Sequence, residues 1–293
     1  MFQLVNFISV RCILWLSGGL GVAASYNFGK FITWLLRDVV HYRKSTIKSN
    51  LNACFVGFNT TELNRIIYAY YSRLGELVAE NARIPYMSVR TMRNASPLVN
   101  PELLDMYYDQ GKSVMVIMGH LGNWEWAGLS AASRRKHKIC AAYKPLKNPY
   151  FDRYLKKLRS RFNMHPVPIS AIPRHILGNA SESPVCYTFI ADQSPPKEQA
   201  EWIRFLHRDT PFFHGWAKLA QKTNLPVIYA SSKKIDRGKY QVTFHEISGE
   251  PATESIESLV HTYARLLERD ILQDIPSWLW SHKRWKHSRP VQE

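Results

Sequence analysis

The segment Gly119-His120-Leu121-Gly122-Asn123-Trp124-Glu125 sets a histidine five residues ahead of a carboxylate. An imidazole takes a proton from a hydroxyl near neutral pH. A carboxylate on its other nitrogen fixes the tautomer and stabilises the imidazolium that forms. His120 and Glu125 are therefore the candidate catalytic pair. No serine or cysteine follows in nucleophile position, so the arrangement reads as a base that activates a substrate hydroxyl directly. Asn123 and the backbone N–H groups after His120 are the candidate oxyanion donors, and a helix starting near Trp124 would turn its positive end toward the same place.

The elements that must position this pair are legible as short apolar runs. Residues 113–118 read as a buried strand, so His120 emerges where a strand ends. Further strands are expected at 139–143, 185–191, 227–231 and 240–246, and helices at 124–133, 150–162, 215–222 and 254–273. This alternation implies an α/β fold with a largely parallel or mixed central sheet covered by helices. Ligands of such sheets bind beyond the carboxyl ends of the strands. His120, Lys144 and the pair Asp192-Gln193 each follow a strand in this way. A structural turn before Pro195-Pro196 is the competing reading for Asp192 and Gln193.

Before the sheet region, Asn59-Thr60-Thr61-Glu62 has the pattern of a helix start. Leu63, Ile66, Ile67, Tyr70, Tyr71, Leu74, Leu77 and Val78 then form one apolar stripe, most simply core packing. In the helix at 150–162, Phe151, Tyr154, Leu155, Leu158 and Phe162 oppose Arg153, Lys156, Lys157, Arg159 and Arg161. Such a charged face is ordinarily solvated; the functional alternative is docking of an acidic partner or an anionic membrane. The run from Trp278 to Lys286 mixes aromatics with cations, which suits a headgroup interface or an anionic ligand.

Composition bounds the partners. With 293 residues and 45% hydrophobic content the chain can bury a full core, as one large α/β unit with an appendage. Thirty-nine Lys and Arg against twenty-three Asp and Glu give a net charge of +16, which calls for nucleic acid, anionic lipid headgroups or an acidic carrier protein. Nine tryptophans favour lipid, because an indole suits the headgroup zone. No nucleic-acid motif accompanies the charge. Cys12, Cys54, Cys140 and Cys186 are far apart and lack metal spacing, so a reduced compartment and no metal are expected. Neither a glycine-rich phosphate loop nor a dinucleotide fingerprint is present, and no Gly-x-Ser-x-Gly elbow supports an esterase.

Residues 1–36 are mostly apolar but broken by Arg11 and Lys30. The stretch 12–26 falls short of the ~20 residues needed to span a bilayer, and Arg11 is misplaced for a cleaved signal peptide. The reading is a membrane anchor that spans with tilt or lies in one leaflet, the alternative being a buried helix. Arg37, His41, Arg43, Lys44 and Lys48 follow, a juxtamembrane basic run suited to the cytoplasmic side. The expected organisation is an anchor at 1–36, a helical region at 37–95 and a catalytic α/β domain at 96–293.

These blocks together resemble the bacterial lipid A biosynthesis acyltransferases of the lysophospholipid acyltransferase superfamily. The resemblance rests on His120-Leu121-Gly122-Asn123-Trp124-Glu125, Ala142-Tyr143-Lys144-Pro145-Leu146-Lys147-Asn148-Pro149, Ala191-Asp192-Gln193-Ser194-Pro195, Thr210-Pro211-Phe212-Phe213-His214-Gly215, Leu225-Pro226-Val227 and the run from Trp278 to Lys286. His41-Tyr42-Arg43 followed by Asn50-Leu51 is also similar to the family's N-terminal region, so the resemblance spans roughly residues 35–287. It implies a glycerolipid acyltransferase-like sandwich with an N-terminal membrane-associating region, at the cytoplasmic face of the bacterial inner membrane. It further implies transfer of a fatty acyl group from acyl carrier protein, or coenzyme A, to a hydroxyl of a lipid A precursor, with no resident cofactor. In that reading Asn123, Lys144, Asp192 and Gln193 bind substrate, Lys144 by a headgroup phosphate, and Phe212, Phe213 and Trp216 are candidate walls of an acyl channel. The family often has Arg where this chain has Lys144, and Lys lacks the bidentate fork that grips a phosphate. Another glycolipid or an aminolipid is therefore the alternative acceptor. Outside the class, the rival is a non-catalytic protein binding anionic lipid or nucleic acid.

Overall fold

Strand β1 (Val114–Met118) is buried along its whole length, and its alternate residues serve two cores. Val114, Val116 and Met118 belong to one, and Met115 and Ile117 to the other. That is the period of two expected of a strand covered on both faces. The computed structural model describes residues 3, 4, 7, 11, 18–178 and 183–289.

Before β1 come the helices α1 (Val22–Trp34), α2 (Lys44–Cys54), α3 (Thr60–Arg83), α4 (Val89–Ala95) and α5 (Glu102–Asp109). After β1 come α6 (Trp124–Ser133), β2 (Lys138–Tyr143), α7 (Pro149–Ser160), β3 (Met164–Pro168), α8 (Ile172–Leu177) and β4 (Val185–Ile190). A two-stranded hairpin, β5 (Ala200–Phe205) and β6 (Arg208–Phe213), leads to α9 (Gly215–Thr223), β7 (Val227–Asp236), β8 (Lys239–Ser248) and α10 (Ile256–Gln273).

The main sheet runs β3-β2-β4-β1-β7-β8, parallel except for β8, which returns antiparallel to β7. One core holds Met92, Leu104, Trp126, Leu129 and Leu158 from α4 to α7. The other holds Ile47 and Leu51 of α2, Phe212 of β6, Trp216 of α9 and Tyr263 and Leu267 of α10. The mixed sheet covered by helices is thus the architecture anticipated.

Helix α3 opens on a capping box: Glu62 N–H donates to Asn59 Oδ1 at 3.0 Å and Asn59 N–H to Glu62 Oε2 at 2.7 Å. Helix α1 packs on it with no room for a side chain at the crossing. A Cβ on Gly75 would stand 2.2 Å from Thr33 Oγ1 and 2.3 Å from Gly29 O. Glu80 of α3 is fully buried and receives Tyr26 Oη at 3.2 Å, Tyr240 Oη at 2.7 Å and Asn123 Nδ2 at 2.9 Å. One carboxylate thereby ties α1, α3, β8 and the start of α6 together.

Several elements escaped the sequence reading. Strand β3 contains Pro166 and Pro168 and survives because it is a sheet edge, where missing N–H donors cost least. The β5–β6 hairpin turns at Leu206-His207, both at positive φ (47° and 63°) without a glycine to announce it. Of the N-terminal apolar stretch 1–36, residues 1, 2, 5, 6, 8–10 and 12–17 lie outside the described residues. Among the described residues, no helix is long and apolar enough to cross a membrane. Helix α1 does carry exposed Val22, Phe31 and Trp34.

Candidate active site

Register brings the site together. Strands β1 and β4 are hydrogen-bonded neighbours with Met118 opposite Ile190. Two residues beyond each stand His120 and Asp192, so parallel strands deliver them side by side at their carboxyl ends. His120 Nδ1 lies 2.6 Å from Asp192 Oδ1, and the His120 backbone N–H donates to Asp192 Oδ2 at 2.8 Å. Trp278 Nε1 also donates to Oδ2, at 2.8 Å. Asp192 is buried, which alone would raise its pKa. The His120 charge and these hydrogen bonds overcome burial and hold the carboxyl down at about 2.

His120 shows the mirror balance. Burial opposes its charge, but Asp192, and then the more distant Glu125, raise its pKa above the ordinary 6.5. With Nδ1–H on Asp192, Nε2 carries the lone pair, and Gln193 Nε2 approaches it at 3.5 Å. The Trp124 indole meets the imidazole edge-on at 5.0 Å. The side chain of His120 keeps 17% of its surface exposed, enough for a substrate hydroxyl to reach it from a cavity of about 750 Å³. Trp124, Glu125, Lys144, Arg159, Gln193 and Phe213 also line that cavity.

The carboxylate on the imidazole nitrogen is therefore Asp192, not Glu125 as the spacing suggested. Glu125 lies on the first turn of α6 and accepts from both Nε and Nη2 of the Arg159 guanidinium from α7, with Nε to Oε2 at 3.1 Å. Helical geometry explains this: five residues on, after a loop, the Glu125 side chain points across to α7 rather than back to His120. Asn123 is corrected as well. It is buried, with Oδ1 capping α6 by accepting from Trp126 N–H at 3.1 Å and Nδ2 donating to Glu80. Its amide serves the fold below the site and does not face the cavity as an oxyanion donor. Of the three channel candidates, Phe213 lines the cavity while Phe212 and Trp216 are fully buried core residues.

Glycine is required within the motif. Gly122 sits at φ +60°, and a Cβ there would stand 2.4 Å from Ser232 O. The C-terminal run braces the same loop, with Gly122 N–H on Ser277 O at 3.2 Å and Leu279 N–H on His120 O at 3.2 Å. His282 accepts Ser194 N–H at 3.1 Å; burial and then the Arg284 charge push its pKa down to about 4, so it is a neutral acceptor. The sequence reading missed Arg159, Trp278 and Glu80. Mixed aromatic and cationic composition hid Trp278, the amphipathic pattern hid Arg159, and Glu80 lay just past a stripe read as packing alone.

A sequence model of the family described as bacterial lipid A biosynthesis acyltransferase matches residues 4–287. The chain is similar to the lipid A biosynthesis palmitoleoyltransferase of Escherichia coli (strain K12), at 23% identity over 291 residues, covering 96% of this chain and 90% of that protein. It matches the lipid A biosynthesis acyltransferase of Shigella flexneri with the same identity and coverage. The chain belongs to the bacterial lipid A biosynthesis acyltransferases and is an acyltransferase of lipid A biosynthesis.

Proposed function

We propose that this chain moves a fatty acyl group from a thioester of acyl carrier protein to a hydroxyl of a lipid A precursor, with His120 as general base. The observation that carries the reading is the polarity of the His120 ring: Nδ1 on a buried carboxylate, Nε2 toward the large cavity. Nε2 takes the acceptor hydroxyl proton as the oxygen attacks the thioester carbonyl. The tetrahedral intermediate collapses, the C–S bond breaks, and the imidazolium returns its proton to the leaving thiolate. Asp192 and Glu125 stabilise the imidazolium in between. A base so placed contributes about 10²–10⁴ in rate, so alignment and electrostatics supply the remainder. No acyl-enzyme forms, since the acceptor oxygen is the nucleophile.

Lys144, exposed at the cavity, is the candidate contact for a headgroup phosphate, and Gln193 orients the hydroxyl. Leu146, Leu155, Ile169, Ile190 and Phe213 give the same cavity an apolar wall for the acyl chain. The net charge of +16 supports an acidic carrier as donor and anionic lipid as acceptor. Exposed Leu20, Val22, Phe31 and Trp34 support association of the N-terminal region with the cytoplasmic face of the inner membrane.

The test is lipid mass spectrometry of the source organism with H120A replacing the native protein. Loss of one acyl group from lipid A is the expected result and names acceptor and chain length together. Unchanged lipid A with another lipid altered would overturn the acceptor. No change in any lipid would overturn the catalytic role of His120.

A further inference from the structure

Helix α7 is the wall between two cavities. Its face bearing Asp152, Leu155, Lys156 and Arg159 lines the catalytic cleft. Its other face, bearing Tyr150, Arg153, Tyr154, Lys157 and Leu158, lines a second cavity of about 370 Å³, completed by Arg161 just past the helix end and by Phe7, Arg11 and Pro85. That volume lies within the range of small-molecule sites.

The cations on the two faces differ in kind. Toward the cleft, Lys156 is paired with Asp152 at 2.8 Å and Arg159 with Glu125. Toward the second cavity, Arg11, Arg153 and Lys157 have no carboxylate partner among the described residues. Arg161 donates to the carbonyls of Ile84, at 3.3 Å, and Pro85, which position its charge without cancelling it. The floor is aromatic: Phe7 meets Tyr154 at 6.1 Å and Phe151 at 5.0 Å, and the Arg11 guanidinium lies 5.4 Å from the Tyr154 ring centre. Four positive charges thus rim an apolar trough.

We propose that this second cavity binds an anionic phospholipid of the bilayer. The headgroup phosphate sits among Arg11, Arg153, Lys157 and Arg161, and the start of an acyl chain lies on Phe7, Tyr154 and Leu158. Charge alone would suit an acidic protein equally well, but the aromatic trough favours a lipid, as does its continuity with an apolar surface. Pro85 precedes Tyr86, whose ring packs against Gly18 and Gly19. The chain leaves there for α1 through Leu20 and Val22, 72% and 53% exposed. The proposal rests on the membrane association argued above and is independent of the role given to His120.

The experiment uses the full chain and vesicles of phosphatidylcholine alone or with phosphatidylglycerol, the anionic ones spiked with a phosphatidylglycerol carrying a diazirine on its acyl chain. Cosedimentation gives affinity and mass spectrometry gives the labelled residues. Each juxtamembrane cation is worth ~1 kcal/mol on an anionic surface. R153Q/K157Q is therefore expected to bind anionic vesicles roughly 30-fold more weakly, to bind zwitterionic vesicles as before, and to lose labelling in the segment 150–161. K222Q/R265Q, an exposed pair outside the cavity, is expected to change affinity far less. An equal loss in that control pair would mean unspecific charge attraction and overturn the site. So would labelling only outside the cavity, or protection of α7 by an acidic carrier protein that the lipid does not displace. Binding and labelling are read on H120A as well, so a failure of the catalytic reading leaves this result standing and the reverse.

Discussion

His120 Nδ1 and Asp192 Oδ1, 72 positions apart in the chain, stand 2.6 Å from each other because β1 and β4 are paired in a register that ends both strands two residues short of them. Asp192 also accepts from the His120 backbone and from Trp278, so its orientation is fixed by three donors. D192N keeps the shape but removes the charge and offers an amide N–H where an acceptor is needed. We expect kcat at pH 7 to fall by about 10²–10⁴, with KM for acceptor and donor changing much less. A D192N enzyme within threefold of wild type would remove Asp192 from the mechanism.

The same pair sets the pH dependence. A general base works when deprotonated, and Asp192 holds the His120 pKa above 6.5. Activity is therefore expected to rise with pH through that raised value and to be lost below it. D192N takes away the stabilisation of the imidazolium, so the acid limb of its residual kcat/KM should move to lower pH. A limb that stays in place or moves up would contradict this assignment.

Glu125 and Arg159 act as a unit with opposite signs. Glu125 adds to the charge that favours the imidazolium, while Arg159, bound to it, carries the opposite charge. E125Q should shift the acid limb down and R159M should shift it up, each with a loss of activity. In the double variant the shifts should largely cancel. Steady-state profiles of the three variants decide this; shifts in the same direction for both singles would show that the pair acts through packing alone.

The sequence made the sheet and its strand ends legible because buried parallel strands are short apolar runs, and His120, Lys144 and Asp192 were visible as polar residues leaving them. Their pairing was not. Spacing along the chain favoured Glu125, whereas the partner of His120 is chosen by strand order, which places β4 between β1 and β2. Asn123 misled for a related reason: an amide next to the base looks available until the helix it caps and the Glu80 beneath it are seen. Leu206-His207 and the proline-bearing β3 lacked the usual local signals, so their hairpin and edge strand became visible only in three dimensions.

Gly122 is the tightest point of the motif. G122A places a methyl 2.4 Å from Ser232 O in a backbone conformation at φ +60°. The conformation alone costs ~1–3 kcal/mol, and relief of the clash must move the loop that carries His120. We expect a lowered melting temperature together with a fall in kcat. Calorimetry and turnover on the same preparation test this, and an unchanged melting temperature would refute the close approach.

Glu80 links the helical layer to the catalytic motif through a buried carboxyl whose pKa is raised, chiefly by burial and against hydrogen bonds from Tyr240, Asn123 and Tyr26. A folded-state pKa above the unfolded one means that the folded chain binds the proton more readily. The contribution of Glu80 to stability is therefore greatest below pH 4.5, the unfolded value, and is lost as pH rises through the raised one. Gln cannot ionise and keeps one acceptor oxygen, while the tyrosine hydroxyls can rotate to accept its amide. E80Q should thus gain on wild type between pH 5 and pH 7.5 in denaturant unfolding, whereas E80A, which strands three donors, should cost about 2–4 kcal/mol at both. An E80Q penalty that grows with pH would reverse the sign of the shift and with it this account of how α1, α3, β8 and α6 are held together.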